Sequence, residues 1–343
     1  MDKTKHIILS DSTYIKRCIE IAKKGLGTTA PNPMVGCLIV KDDKIIGEGY
    51  TDPYGGSHAE VNAIKSVKNR ELLKSATLYV TLEPCSHHGK TPPCSDLIIS
   101  RQIPRVVIGC IDPHEKVCGQ GIARLKASGC QVIVGVEEAL CKIHHKRFLT
   151  YHTKKRPYII LKWAQTKNGF VAPKNKNSNR PFWISGKLSR QLVHQWRAEE
   201  QAILVGANTV TKDNPSLTTR HIVGKNPIRI VVSNNKKLSR QLNIFNGDAQ
   251  TILLNTDEFN KGEPIGTQIC DKLFSQKITS LIVEGGPKTL DYFLSENLWD
   301  EARIFEGNTD IKQGIKAPKI LLDSSGVLSV GQDHLWYITN KEA

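Results

Sequence analysis

Two consecutive α/β domains are what the sequence predicts for this chain of 343 residues. Three observations lead there. Short apolar, strand-like runs alternate with stretches of helical periodicity along most of the chain, the pattern of layered α/β folds with a largely parallel core. The length is generous for one hydrophobic core and comfortable for two. The cysteines are uneven: eight of nine lie between Cys18 and Cys141 and only Cys270 lies beyond, so the halves carry different chemistry.

In chain order, VGCLIV and KIIGEGY are strand-like runs separated by Lys41, Asp42 and Asp43, a hairpin signal. Helical periodicity follows from Ala59 to Val67. ATLYV reads as a buried strand running into Glu83-Pro84-Cys85, DLIIS as helix, RVVIGC as strand, GIARLKAS as a helix closed by Gly129, and CQVIVGV as strand. The polar, basic segment from Tyr151 to Pro157 ends in proline and is the expected linker, with the first domain over 1–149, the linker over 150–157 and the second domain over 158–343. The second domain opens on YIILKWA. Its further strands are AILVG, IRIVVS, TILLN, SLIVEGG and LWYIT, with helices over Lys187–Ala198 and Lys288–Glu296. KNKNSNRP, ahead of Trp183, reads as a loop insertion.

The net charge of +15 is spread over both halves: up to Leu149 there are 21 basic against 15 acidic residues, and beyond it 27 against 18. A basic surface of this kind suits small phosphorylated ligands; a nucleic-acid partner is not expected, because the basic runs are short and have few interleaved aromatics. No apolar run reaches the roughly 18 residues of a membrane span. The N-terminus carries no secretory pattern, so the expected compartment is the cytoplasm and the expected state of the thiols is reduced. Homo-oligomerisation is left open.

The chemistry-bearing pattern is His58-Ala59-Glu60 followed, after a strand, by Pro84-Cys85 and Cys94. One imidazole and two thiolates suit zinc, and three protein ligands leave a fourth position for water, whose pKa zinc lowers to about 7. A carboxylate must still carry the proton to the leaving amine, and Glu60 is the candidate. Residues two apart diverge in mid-helix, so His58 and Glu60 can share a site only at a helix start, which Gly55-Gly56-Ser57 would provide. Cys94 would open the next helix, where the dipole favours thiolate. His87 and His88 in the same loop are rival ligands, read as substrate-facing or structural. Cys110, Cys118, Cys130 and Cys141 read as packing residues.

This HAE plus PC-x8-C pattern resembles the cytidine-deaminase-like superfamily. The long PCSHHGKTPPC loop and Asn32-Pro33-Met34-Val35-Gly36 are similar to one branch, the bifunctional riboflavin-biosynthesis deaminase–reductases. The resemblance implies a cytidine-deaminase-like three-layer domain followed by a dihydrofolate-reductase-like α/β domain. It implies hydrolytic deamination of a diamino-pyrimidinone ribosyl phosphate, then NADPH-dependent reduction of the ribosyl group to ribityl. His58, Cys85 and Cys94 would bind Zn2+, Glu60 would be the proton shuttle and Asn32 would line the pyrimidine pocket. In the second half the likeness rests on LKWAQTKNG, Trp183, ILVGANTVTKDNPSLTTR and VEGGPKTL. It implies NADP contacts from Ala164, Trp183, Thr209 and Asp213, and substrate contacts from Arg197, Leu217, Arg220 and Glu284. Arg197 and Arg220 suit a phosphate, since guanidinium forks bind it bidentately. Gly286, Pro287 and Lys288 follow a strand and open a helix, so their amides could cradle cofactor phosphate. Asn168 stands where the family usually has Asp, Pro181 where a small polar residue is common, and the segment after Trp299 is shorter than the usual pattern. The alternatives are an RNA- or nucleotide-acting zinc deaminase with a basic C-terminal binding domain, and a non-catalytic scaffold with structural zinc, for which a fourth ligand is missing.

Overall fold

The computed structural model describes residues 10–86, 92–114, 117–174, 182–234, 238–320 and 326–342. His87, His88 and Pro181, with most of the KNKNSNRP insertion, lie outside them. The chain divides into two compact units, 1–154 and 155–343. Among the described residues no helix is long and apolar enough to cross a membrane.

The first unit runs α1 (Asp11–Ala22), β1 (Gly36–Lys41), β2 (Lys44–Tyr50), α2 (Ala59–Ser66), β3 (Thr77–Leu82), α3 (Cys94–Ser100), β4 (Arg105–Cys110), α4 (Gln120–Ala127), β5 (Gln131–Val134), α5 (Glu138–His144) and α6 (Lys146–Lys154). Its sheet has the order β2-β1-β3-β4-β5, with β3, β4 and β5 parallel and the β1–β2 and β1–β3 pairs antiparallel. Asp42 and Asp43 both take positive φ, the backbone a tight two-residue hairpin needs, so the connection is one residue shorter than predicted. Five of the six residues of β1 are buried on both faces, so helices must cover the sheet on each side.

The predicted linker is corrected in part: Tyr151 to Lys154 are the last turn of α6. Phe148 and Tyr151 are buried, while Thr153 and Lys154 on the same turn face solvent. The helix stops at Lys155, which is left-handed (φ 54°), two residues before Pro157.

The second unit runs β6 (Tyr158–Thr166), β7 (Phe170–Pro173), α7 (Lys187–Glu199), β8 (Ala202–Gly206), α8 (Ala207–Asp213), β9 (Ile228–Ser233), β10 (Thr251–Asn255), α9 (Ile265–Ser275), β11 (Ser280–Val283), α10 (Pro287–Ser295), β12 (Glu301–Gly307), β13 (Gly314–Lys316), β14 (Val327–Val330) and β15 (Asp333–Thr339). Its main sheet has the order β10-β9-β8-β11-β6-β12-β15-β14, parallel as far as β12 and antiparallel at the β15 and β14 edge. Alternation along β6 sends Ile159, Leu161 and Trp163 into a core shared with α9 and α10. Tyr158 and Ile160 enter a second core shared with α7 and α8. β12 lies in the segment after Trp299 that carried no strand assignment, although five of its first six positions are buried.

A buried ion pair closes the start of this unit. Arg156 meets Asp300 through two hydrogen bonds of 2.5 and 3.0 Å, and both side chains are 7% exposed. Asp300 also accepts the Ile159 amide at 2.8 Å. Asp300→Ala should destabilise this unit by about 3–5 kcal/mol, the cost of stranding a buried cation. A urea titration followed by the reductase activity measures it, and a midpoint equal to wild type would contradict the pairing.

Candidate active sites

His58 is the N-cap of α2, with extended backbone (φ −73°, ψ 161°), and Glu60 lies in the first helical turn. The helix-start geometry demanded by His-x-Glu is therefore present. Cys85 follows β3 and Cys94 is the first residue of α3. The His58 Nδ1 lies 3.6 Å from the Cys85 Sγ and 3.4 Å from the Cys94 Sγ. All three ligand atoms are within 4.8 Å of one another. Zn–N and Zn–S bonds of ordinary length in a tetrahedron place N and S about 3.5 Å apart. The residues thus fit a zinc ion by distance and by donor type. They form the one such group of three among the described residues.

The thiolate falls on Cys85 and not, as its place at a helix start led one to expect, on Cys94, whose thiol is pushed well up by its hydrogen bond with Cys85 and by burial. A hydrogen bond to Cys85 raises the His58 imidazole to about 9, against the opposing effect of burial. Hydrogen bonds from Cys94 and His58 push the Cys85 thiol down to about 4. The Cys94 amide donates to the Cys85 sulfur at 3.3 Å. Glu60 is 4% exposed, and burial, reinforced by the negative charge on Cys85, pushes its carboxyl up to about 7. A carboxyl that can hold or release a proton near neutrality beside a cation site suits proton transfer.

Two features here escaped sequence reading. Glu83 is buried, and its carboxylate accepts the amides of Asp112 (3.4 Å), Gly119 (3.0 Å), Gly121 (3.0 Å) and Ile122 (3.2 Å). It thereby ties the start of the Cys85 loop to the start of α4; an acid directly after a strand whose last five residues are buried was the available signal. Asn32 lies in a loop whose Met34 carbonyl accepts from the His144 Nε2 at 2.7 Å, a contact across 110 residues with no sequence signature.

In the second unit, Ala164, Glu284 and Gly286 lie at or just beyond the carboxyl ends of β6 and β11, and α8 with Thr209 and Asp213 follows β8 directly. That edge of a parallel sheet is where open α/β folds bind ligands. A Cβ added at Gly286 would lie 3.7 Å from the Thr209 hydroxyl, so these two candidates are neighbours. Gly286 is the N-cap of α10 and Pro287 its first residue. Lys288 and Trp183 are exposed, with the Arg190 guanidinium 4.7 Å from the Trp183 ring.

Arg197 departs from expectation. Its fork is held by Glu284, Nε to Oε1 at 3.3 Å and Nη2 to Oε2 at 2.8 Å, and its Nη1 donates to the Thr218 carbonyl at 3.3 Å. Two residues read separately as substrate contacts thus form one pair. The Arg220 side chain is exposed, while its amide donates to the His194 Nδ1 at 3.1 Å. Burial and then the Arg197 and Arg220 charges hold His194 down at about 4, so it stays a neutral acceptor. Lys162, midway along β6 in the YIILKWA run, was missed. Burial lowers its proton affinity, against the attraction of Glu284. A lysine inside an apolar strand run was the overlooked signal. Asn168 serves the fold: it accepts from the Thr166 hydroxyl at 2.7 Å and donates to the Ile311 carbonyl at 2.8 Å.

A His-Cys-Cys group that fits zinc beside a buried glutamate, on one α/β unit, followed by a second, largely parallel-sheet unit, points to a two-domain enzyme of the zinc-deaminase and reductase class. Comparison with known proteins gives both halves the same reading: residues 9–110 match the cytidine and deoxycytidylate deaminase zinc-binding region, and residues 157–307 match the RibD C-terminal domain. The riboflavin biosynthesis protein RibD of Aquifex aeolicus (strain VF5) is 42% identical over 311 residues, covering 86% of each chain. That of Escherichia coli (strain K12) is 34% identical over 325 residues, 87% of each. The crystal structure of the Thermotoga maritima diaminohydroxyphosphoribosylaminopyrimidine deaminase/5-amino-6-(5-phosphoribosylamino)uracil reductase superposes with a TM-score of 0.85 at 39% identity, over 96% of this chain and 98% of that one. The chain belongs to the RibD family and is a bifunctional riboflavin-biosynthesis enzyme with a deaminase and a reductase unit. A basic RNA-binding second half gives way to the reductase domain.

Proposed function

We propose that the first unit deaminates a diamino-pyrimidinone ribosyl phosphate by hydrolysis, and that the second reduces the ribosyl group of the product to ribityl with NADPH. The observation that carries the first half is the pair of 3.4 and 3.6 Å distances from His58 to the two cysteine sulfurs. His58, Cys85 and Cys94 would hold the zinc, which supplies an activated water at neutral pH. Glu60 would take the water's proton and deliver it to the departing amine, and the dry wall around it keeps that proton from bulk solvent. Asn32 would hydrogen-bond the pyrimidine. In the second unit Ala164, Trp183, Thr209, Asp213 and the Gly286-Pro287-Lys288 turn would seat the cofactor, and Leu217, Arg220 and the Arg197–Glu284 pair would seat the sugar phosphate. Hydride transfer then depends chiefly on holding the two face to face. The relatives' names and the basic charge of both halves support this substrate class.

Adding the diamino-pyrimidinone phosphate and NADPH together should give cofactor oxidation only after a lag, during which ammonia appears. Oxidation without prior ammonia release would reverse the order and refute the proposal. Removing the metal with a chelator should abolish ammonia release but leave reduction of the pre-deaminated substrate at its full rate. Loss of both activities would place the metal's role elsewhere.

A further inference from the structure

The segment from Asn214 to Arg220 leaves α8 and returns toward the sheet through two left-handed residues, Asn214 (φ 41°) and Leu217 (φ 54°). Asparagine tolerates that region; leucine enters it only against the clash of its Cβ with the backbone. Leu217 is nevertheless 3% exposed, with its side chain in the core shared by α7 and α8. Something must hold the backbone there, and strain kept at such a place is a pointer to function.

Arg229, near the start of β9, is fully buried, and its guanidinium reaches hydroxyl, amide and carbonyl oxygens on three segments. Nε donates to the Thr251 hydroxyl at 3.0 Å. Nη1 donates to the carbonyls of Ser216 (3.3 Å) and Asn243 (3.2 Å) and to the Asn246 Oδ1 (2.7 Å). Nη2 donates to the carbonyls of Asn246 (2.8 Å) and Ala249 (2.5 Å). The Ser216 carbonyl belongs to the peptide that leads into Leu217. Asn243, itself held by Arg229, grips the other left-handed residue: its amide donates to the Asn214 Oδ1 at 2.7 Å and its Nδ2 to the Asn214 carbonyl at 2.9 Å. Downstream, Arg197 holds the Thr218 carbonyl and His194 holds the Arg220 amide. A segment bearing two proposed substrate contacts is thus fixed at both ends.

We propose that Arg229 is a positioning residue of the reductase: by clamping the Ser216 carbonyl and the 243–249 segment it holds Leu217 left-handed, its side chain in the core, and presents the Leu217 backbone and Arg220 to the sugar phosphate. This rests on the reading that Leu217 and Arg220 bind substrate. A fixed planar fork with five donors is what the clamp requires, and lysine keeps the charge but cannot span the three segments.

The test uses the full-length enzyme, with deamination by the same chain as the control for folding of the first unit and NADPH binding, read by fluorescence, as the control for the second. Arg229→Lys should raise the KM for the deaminated substrate about tenfold, equivalent to about 1.4 kcal/mol. It should leave deamination unchanged and the NADPH Kd within about threefold, where a merely structural lesion would lower the active fraction and spare KM. A separate variant with the clamp intact, Arg220→Ala, tests the underlying site: an unchanged KM there refutes the site reading, whereas a raised KM there with an unchanged KM in Arg229→Lys refutes the clamp alone. Should Arg229→Lys fail to bind NADPH, the clamp is refuted as a specific device. Asn243→Ala, an exposed and milder change, should raise the same KM about threefold, and no rise would also overturn the proposal.

Discussion

Glu60→Gln is expected to lower deamination by about a thousandfold, the typical worth of a well-placed general acid–base group. Zinc content and NADPH-dependent reduction should stay at wild-type levels. The carboxyl is almost wholly buried at the first turn of α2, two residues after His58, and is not one of the three converging ligand atoms. Glutamine preserves its volume and one hydrogen-bonding oxygen, so the wall of the site stays filled, but it cannot take up or release the proton. Measuring ammonia release, metal content and the reduction of pre-deaminated substrate on one preparation separates the outcomes. A variant that keeps zinc and full deamination sinks the assignment; one that loses the metal makes Glu60 a ligand.

How much of this was legible beforehand follows from the range of each interaction. The hairpin at Asp42-Asp43, the close of α4 at Gly129 (φ 86°) and the start of α2 at His58 are set by local backbone preference, and the sequence displayed them. The convergence of His58, Cys85 and Cys94 was legible because zinc chemistry narrows the donor types and their spacing. By contrast, the last turn of α6 was mistaken for a linker because its polar residues run on without a break into Lys155, Arg156 and Pro157, which gives the stretch the composition of a loop. The Arg197–Glu284 pair spans 87 residues and the His144–Met34 contact 110. Side chains that meet only after the sheet is assembled leave no periodic trace. Lys162 shows the same limit from the other side: its place in an apolar run was visible, but the Glu284 charge that favours its cation there was not.

Glu284→Gln is expected to weaken both the stability and the activity of the second unit. Burial pushes the Glu284 carboxyl up, yet the charges of Arg197 and Lys162 and the Arg197 hydrogen bonds outweigh it and hold it at about 2. Removing that charge leaves Arg197 and Lys162, two cations that repel one another, without their shared counter-charge in a poorly solvated place, which should cost this unit about 3 kcal/mol. A substrate hydroxyl that used the carboxylate would lose a charge-assisted hydrogen bond, lowering kcat/KM for reduction by one to two orders of magnitude, about 1.5–3 kcal/mol. Deamination by the same chain should not change. The pH dependence fixes the cause. Because the folded-state carboxyl is held below its ordinary value of 4.5, its stabilisation is complete above pH 4.5 and is lost as pH falls toward 2. The gap between wild-type and Glu284→Gln denaturation midpoints should therefore be constant near neutrality and shrink in acid. A gap that persists unchanged at the lowest pH where the unit is folded would assign the loss to packing, and the ion pair would then not be what holds Arg197 over the Thr218 carbonyl.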